Sequence, residues 1–189
     1  MWQKVGNFPG VTVDKKSGQF KLSDNTVCTL IDLPGTYSIH PKSEDELVVL
    51  EVFTNPESID YPDLAIIVAD ASNLKRSLLL FEQVSDLNIP TVVALNQLDT
   101  AQNKRITLNS SRLARILGVP VVEINARERI GIDGLKLAVA EQLKHKKTHQ
   151  NPSFFSEESE VLADNICEEF SMSNRYVALL QAIHSDKLT

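Results

Sequence analysis

At 189 residues, with 42% hydrophobic and 23% charged residues, the chain holds enough apolar material for one sizeable core and a small extension. Its net charge of -6 argues against nucleic acid as a partner, because phosphate backbones select basic faces. Cys28 and Cys167 lack any metal-type spacing and read as small core residues of a reducing compartment. No apolar run reaches the roughly 18 residues of a membrane helix, and the first residues lack a signal-peptide pattern, so the chain as given reads as soluble.

Val11 to Leu22 and Thr26 to Asp32, separated by Ser23-Asp24-Asn25, predict a hairpin or two neighbouring strands. Ser43 to Phe53 predicts a helix, because Ser43 is followed three residues later by Glu46 in the pattern of a capping box. Leu64 to Ala71 is a short apolar run of the kind buried on both faces of a parallel sheet. Asn73 to Leu87 carries leucines at helical spacing, and Thr91 to Asn96 is a second buried strand. Leu108 to Leu117 predicts a helix closed by Gly118, "VPVVEIN" a third buried strand, and Ile132 to His145 a helix with a basic end. Strands alternating with crossover helices predict an α/β domain with a mostly parallel sheet and ligands at the carboxyl ends of its strands. Residues 1–148 form that unit. Residues 152–189 are polar, with two amphipathic stretches and no strand between them, and predict the start of a helical domain.

Three polar motifs stand at strand ends. Asn96-Gln97-Leu98-Asp99 follows "TVVAL", and Asn125-Ala126-Arg127 follows "VPVVEI". A carboxylate at Asp99 can accept two hydrogen bonds from the ring N–H and amino group of guanine, a pair that adenine does not offer. A helix or turn cap is the structural alternative for Asp99. Asn96 would brace the loop, the Ala126 backbone N–H would meet the guanine carbonyl, and Arg127 would lie near the base or ribose or else form a solvated rim.

At the other end, Asp32-Leu33-Pro34-Gly35 closes the strand "TLID". Asp32 would hold Mg2+ through a water, and Gly35 would turn its backbone N–H toward a terminal phosphate. Taken alone, the same four residues fit a β-turn containing proline. Upstream, Gly10-Val11-Thr12-Val13 places a hydroxyl at Thr12 that could ligate Mg2+ directly, or that belongs simply to a strand.

Taken together, "VGNFPGVTVDKKSGQF", "IDLPGTYSI", "ADASNLKRSLLL", "ALNQLD" and "GVPVVEINAR" with the later "GID" resemble the cytosolic G domain of the bacterial ferrous iron transport protein B family (FeoB). The resemblance runs from about Val5 to Lys146, and residues 152–189 resemble the start of that family's helical domain. "GNFPGVTV" and "DLPGTYS" are its specific parts, whereas "NQLD" alone fits any GTP-binding protein. The resemblance implies a Ras-like P-loop GTPase fold that binds GTP or GDP with Mg2+ and hydrolyses GTP slowly, often with K+ stimulation. It further implies control of Fe2+ uptake through a membrane-spanning domain, at the cytoplasmic side of the bacterial inner membrane. Small accessory iron-transport proteins and an oligomer are further partners that it leaves open.

The chain also departs from that pattern. A phosphate loop of form G-x-x-x-x-G-K-[ST] needs two glycines five positions apart, and the seven glycines, at 6, 10, 18, 35, 118, 131 and 134, contain no such pair. The expectation is therefore a G domain lacking the first strand, phosphate loop and first helix, its chain beginning inside the first switch region. Circular permutation is excluded, since no glycine follows Gly134. The missing strand belongs between the strand ending at Asp32 and "LAIIVAD", so the sheet should carry a slot with two unpaired edges, filled by a sliding hairpin or a partner chain. Asn125 stands where Ser or Thr is commoner, and Thr36 where many GTPases keep a water-orienting Gln, so no catalytic residue is assigned. Two functions follow as expectations. The chain is part of a GTP-hydrolysing regulator of iron transport, or it is a non-catalytic interaction module that keeps the fold. Without a phosphate loop, turnover by the chain itself should not exceed that of buffer.

Overall fold

Six strands and seven helices are found in the computed structural model, which describes residues 3–7, 14–22, 25–145 and 156–185. The chain runs β1 (Gln3–Asn7), β2 (Asp14–Lys21), β3 (Val27–Asp32), α1 (Glu44–Thr54), β4 (Ala65–Asp70), α2 (Leu74–Asp86) and β5 (Thr91–Asn96). It continues with α3 (Leu98–Asn103), α4 (Ser110–Leu117), β6 (Val121–Glu123), α5 (Ile132–His145), α6 (Glu157–Phe170) and α7 (Arg175–Ile183).

The apolar runs become the parallel sheet, in the order β4-β5-β6. β5 lies in the middle, and its residues Val92, Val93, Ala94 and Leu95 are 0% exposed, which explains why that strand is apolar on both faces. The register sets Asp70 opposite Asn96 and Leu95 opposite Glu123, so the carboxyl ends of the three strands open on one edge. α2, which follows a 3-10 turn at Ala71–Asn73, crosses back to β5 and buries Phe81 and Val84 in the main core.

The predicted hairpin is present as β2 and β3, antiparallel, with Lys16 opposite Asp32 and Lys21 opposite Val27. Val11, Thr12 and Val13, placed by the sequence in the first of these strands or just before it, lie outside the described residues, as does Gly10. A third strand was not expected. Gln3–Asn7 pairs antiparallel with β2, from Gln3 opposite Gly18 to Asn7 opposite Asp14. This polar segment carries no strand pattern of its own, and its extended form comes from a partner edge.

The sheet is thus two three-stranded sheets, β1-β2-β3 antiparallel and β4-β5-β6 parallel, with no ladder joining β3 to β4 among the described residues. The hairpin has not moved to pair with β4. Side chains make the junction instead. Phe20 and Cys28 of the antiparallel sheet meet Ile66, Val92 and α5 residues Val139 and Ala140 in one cluster, while Ile31 and Leu33 pack on Val48 and Val52 of α1. Lys15 also pairs with Asp60, which lies in the connection leading to β4.

The caps follow the sequence closely. Ser43, in extended conformation, accepts from the Glu46 backbone N–H at 3.4 Å. The return bond is displaced by one residue, since Glu46 Oε2 accepts from the Lys42 N–H at 2.8 Å. α4 begins two residues later than its apolar pattern, because Asn109 Oδ1 caps it by accepting from the Arg112 N–H at 2.8 Å. Gly118, at φ 68°, closes it in the left-handed conformation that glycine adopts freely. α7 joins the same core as the α/β body. Its Val177 and Leu180 belong to the main cluster, Gln181 Nε2 donates to the Thr54 carbonyl at 3.0 Å, and Asn174 Nδ2 donates to the Asp86 carbonyl at 3.0 Å.

Candidate functional site

Two of the three motifs converge at the carboxyl edge of the parallel sheet. β5 ends on Asn96, after which Gln97 turns the chain in the left-handed region (φ 61°, ψ 36°) and starts α3, a six-residue helix that the sequence did not reveal. Leu98 packs against the main core, and Asp99 stands exposed in the first turn of that helix. Gln97, and not Asp99, is the helix cap. Among the described residues the Asp99 carboxylate makes no hydrogen bond or ion pair, so its four acceptor sites face solvent.

β6 leads through buried Ile124 to Asn125, whose backbone pairs with Ile130 in an isolated bridge around the exposed turn containing Ala126 and Arg127. Asn125 Oδ1 accepts from the Glu128 N–H at 3.1 Å and shapes the turn from within. Gly131 closes it at φ 77°, with so little room that an added Cβ would lie 2.2 Å from the Glu123 carbonyl oxygen. The two loops are tied together, since Asn96 Oδ1 accepts from the Ala126 backbone N–H at 3.3 Å. The N–H expected to meet a base is thus the one that Asn96 engages.

The third motif sits apart, at the end of β3. Asp32 is exposed and, among the described residues, makes no hydrogen bond or ion pair. Leu33 turns inward to two core clusters, and Pro34 leads to Gly35, which is exposed. Among the described residues other than its chain neighbours, no atom lies within 4 Å of a Cβ added at Gly35, and its φ is not positive, so neither their packing nor the backbone conformation requires glycine there. Thr36 is engaged within the loop. Its hydroxyl donates to the Ser38 carbonyl at 2.6 Å, with Glu46 Oε1 at 3.3 Å. Beyond it, the Arg76 guanidinium lies 3.5 Å over the Tyr37 ring, and the Ile39 N–H donates to Gln83 Oε1 at 2.9 Å, so α2 fastens the loop.

Sequence reasoning passed over two residues on this edge. Asp70, at the end of β4, accepts from the Ser72 N–H at 2.7 Å and caps the 3-10 turn. Lys104, just past α3, reaches Ser72 Oγ at 3.1 Å and links α3 to that turn. A strand ending in Asp was visible at position 70, within the run "ADASNLKRSLLL", but no role was assigned to it. No group of three or more His, Cys, Asp or Glu side chains suited to a metal ion occurs among the described residues.

A parallel sheet flanked by helices, with polar loops at its carboxyl edge and an antiparallel hairpin beside it, defines an α/β domain of the Ras-like type. The family model of ferrous iron transport protein B matches residues 1–139. The chain belongs to that family. It is 37% identical to the Fe(2+) transporter FeoB of Salmonella typhimurium over 192 aligned residues, covering 97% of this chain and 24% of that protein. It is 43% identical to the Fe(2+) transporter FeoB of Escherichia coli K12 over 141 residues, covering 72% of this chain and 18% of that one. The chain therefore spans about a quarter or less of these relatives' length. Among solved structures, the cytosolic domain of Legionella pneumophila FeoB matches with a TM-score of 0.78 at 30% identity, over 97% of this chain and 78% of that one. The cytosolic domain of Thermotoga maritima FeoB in a GDP form matches with a TM-score of 0.80 at 29% identity, over 98% and 74%. The same domain in a GMPPNP form matches with a TM-score of 0.78 at 28% identity, over 94% and 70%.

Proposed function

We propose that this chain is the guanine-nucleotide-binding regulatory part of a bacterial ferrous iron transporter, reading the base at one end of its sheet and the terminal phosphate at the other. The observation that carries this reading is the pairing of an unpartnered, exposed Asp99 with the Ala126 turn, on two loops held together by Asn96. Asp99 accepts two hydrogen bonds from guanine, Asn125, Ala126 and Arg127 bound the base, and Gln97 and Leu98 set the loop. At the phosphate end, Asp32 holds Mg2+ through a water and Gly35 offers its N–H to the terminal phosphate. Gly10, Val11, Thr12 and Val13 complete that end, with Thr12 a direct Mg2+ ligand, by resemblance to the family. Bound Mg2+ supplies charge neutralisation at the phosphates. K+ would add to this by the same resemblance.

No catalytic residue is assigned, and the hydroxyl of Thr36 is already committed to Ser38. The 189 residues contain no phosphate loop of the G-x-x-x-x-G-K-[ST] form, so the chain itself should bind triphosphate weakly. In the intact transporter, GTP binding and hydrolysis at this domain, on the cytoplasmic side of the inner membrane, would control Fe2+ passage through the membrane-spanning domain.

The test uses ligands that do not depend on phosphate contacts. Guanosine and adenosine are titrated against the chain while amide shifts of Gln97 to Thr100 and Asn125 to Arg127 are followed by NMR. Charge-assisted hydrogen bonds of about 1.5–3 kcal/mol each predict at least about tenfold preference for guanosine, lost in Asp99→Ala. Equal affinity for the two nucleosides would overturn the reading.

A further inference from the structure

The loop that follows Gly35 and the end of α7 meet through two imidazoles. His40 Nδ1 lies 3.3 Å from His184 Nε2, with ring centroids 5.6 Å apart and planes inclined at 52°. The centroid separation exceeds the nitrogen separation by about two imidazole radii, so both nitrogens lie near the line joining the ring centres. Ring lone pairs point radially outward, and the two nitrogens therefore face each other head-on.

That geometry excludes a shared metal ion. A head-on pair would need a gap of about twice a metal–nitrogen bond of about 2.0–2.1 Å, wider than the gap found, and closer nitrogens would have to converge at an angle. It suits one N–H···N hydrogen bond, with one ring donating and the other accepting.

We propose that His40 and His184 form a proton-operated latch, closed when the pair shares one proton and opened when each ring nitrogen carries its own. The latch joins two parts that have other fastenings, among them the Glu46 carboxylate, which holds the loop at Lys42 and Thr36; carboxylates as a class titrate well below the imidazole range. The loop is held to α2 through Ile39 and Gln83, and α7 is held through the Asn174 and Gln181 amides to α2 and α1. His184 is 8% exposed and its backbone N–H closes α7 on the Leu180 carbonyl at 3.0 Å, so its ring is carried by the helix end.

The surrounding elements carry charged and titratable groups on every side. These are Lys42 beside the loop, Glu44, Asp45, Glu46 and Glu51 of α1, Lys75, Arg76, Glu82 and Asp86 of α2, Glu158, Glu160, Asp164, Glu168 and Glu169 of α6, and Arg175, which pairs with Asp164, and Tyr176 of α7. Burial pushes Glu51 upward, toward its neutral form, and, with Asp86, lifts Tyr176 to about 12. None of these groups displaces His40, which burial alone holds below the ordinary imidazole range.

The direction follows from counting protons. The closed pair has room for at most one proton beyond neutrality, because a second would set two N–H groups against each other, whereas the open rings accept one each. Closing therefore releases at least one proton below the ordinary imidazole pKa of about 6.5. The contact is fully formed above that pH and is lost as pH falls. This inference rests on the ring geometry and is separate from the nucleotide reading.

Amide hydrogen exchange of α7 in the 189-residue chain tests it, with rates corrected for intrinsic exchange. Protection of α7 relative to β5 should fall about tenfold per pH unit below about pH 6.5, the linkage for one proton. In His40→Gln, whose side-chain amide can donate to neutral His184 or accept from its protonated ring, that fall should disappear. An equal fall in His40→Gln, or no fall in the wild type, overturns the latch. Ring-nitrogen NMR of the wild type gives a second readout that needs no variant. Two coupled steps are expected, and two independent titrations at the ordinary imidazole value would refute the shared proton.

Discussion

The two ends of the candidate site stand on different supports. Asn96 and the loops around it grow from β5, a strand paired on both sides and buried on both faces. Asp32 grows from β3, which pairs with β2 alone among the described residues and leaves Val27 and Leu30 exposed. The Asn96 end is fixed by ladder hydrogen bonds on both sides and a buried core, and the Asp32 end by a ladder on one side and by side-chain packing onto α1 and α5. A sensor must move between states and a specificity loop must not, so under the proposed function the division of supports would match the division of tasks.

The comparison can be broken most directly by making the same substitution in both strands. Leu95→Ala empties a position that is 0% exposed in β5, and should cost about 3 kcal/mol in urea unfolding, the usual range for a buried leucine. Next in size is Gly131→Ala. Its Cβ would collide with the Glu123 carbonyl at 2.2 Å, in a left-handed conformation, at a cost of about 2 kcal/mol. The amide shifts of Asn125 to Ile130 should move with it, and an unchanged spectrum would mean that the Asn125–Ile130 turn is not held as described. The smallest effect belongs to Leu30→Ala in β3. That side chain is 39% exposed, and its loss should cost no more than about 0.5 kcal/mol. If Leu30→Ala and Leu95→Ala proved equal, the antiparallel sheet would be as integral to the core as β5 and the contrast would fail.

Elements whose boundaries are set by local chemistry were legible in the sequence. Thr91–Asn96 and Ile132–His145 appear with the limits their patterns predict, and Gly118 ends α4 as a left-handed cap. Elements that depend on distant partners were not. Gln3–Asn7 is polar and contains glycine, and is a strand because β2 offers it an edge. α3 has six residues and no apolar stripe, and its start depends on the backbone of Gln97. The separation of the antiparallel and parallel sheets was foreshadowed by the slot expected beside Asp32, but its repair through side chains could not be read from any one segment. Within the site, Asp32, Asn96 and Asp99 were visible as residue types at strand ends. The bond from Ala126 to Asn96 was not, because it joins positions 30 residues apart. The meeting of His40 with His184, 144 residues apart, lay further still from any local pattern.

Gly35 offers a separation that few positions in a binding protein allow. Because no atom of the described residues, chain neighbours apart, lies within 4 Å of a Cβ placed there and its backbone is ordinary, the free chain should not register a methyl group at that position. A Gly35→Ala chain would therefore serve as an internal control, identical to the parent until something approaches the end of β3 from outside. Whatever difference then emerges belongs to the visitor and not to the fold.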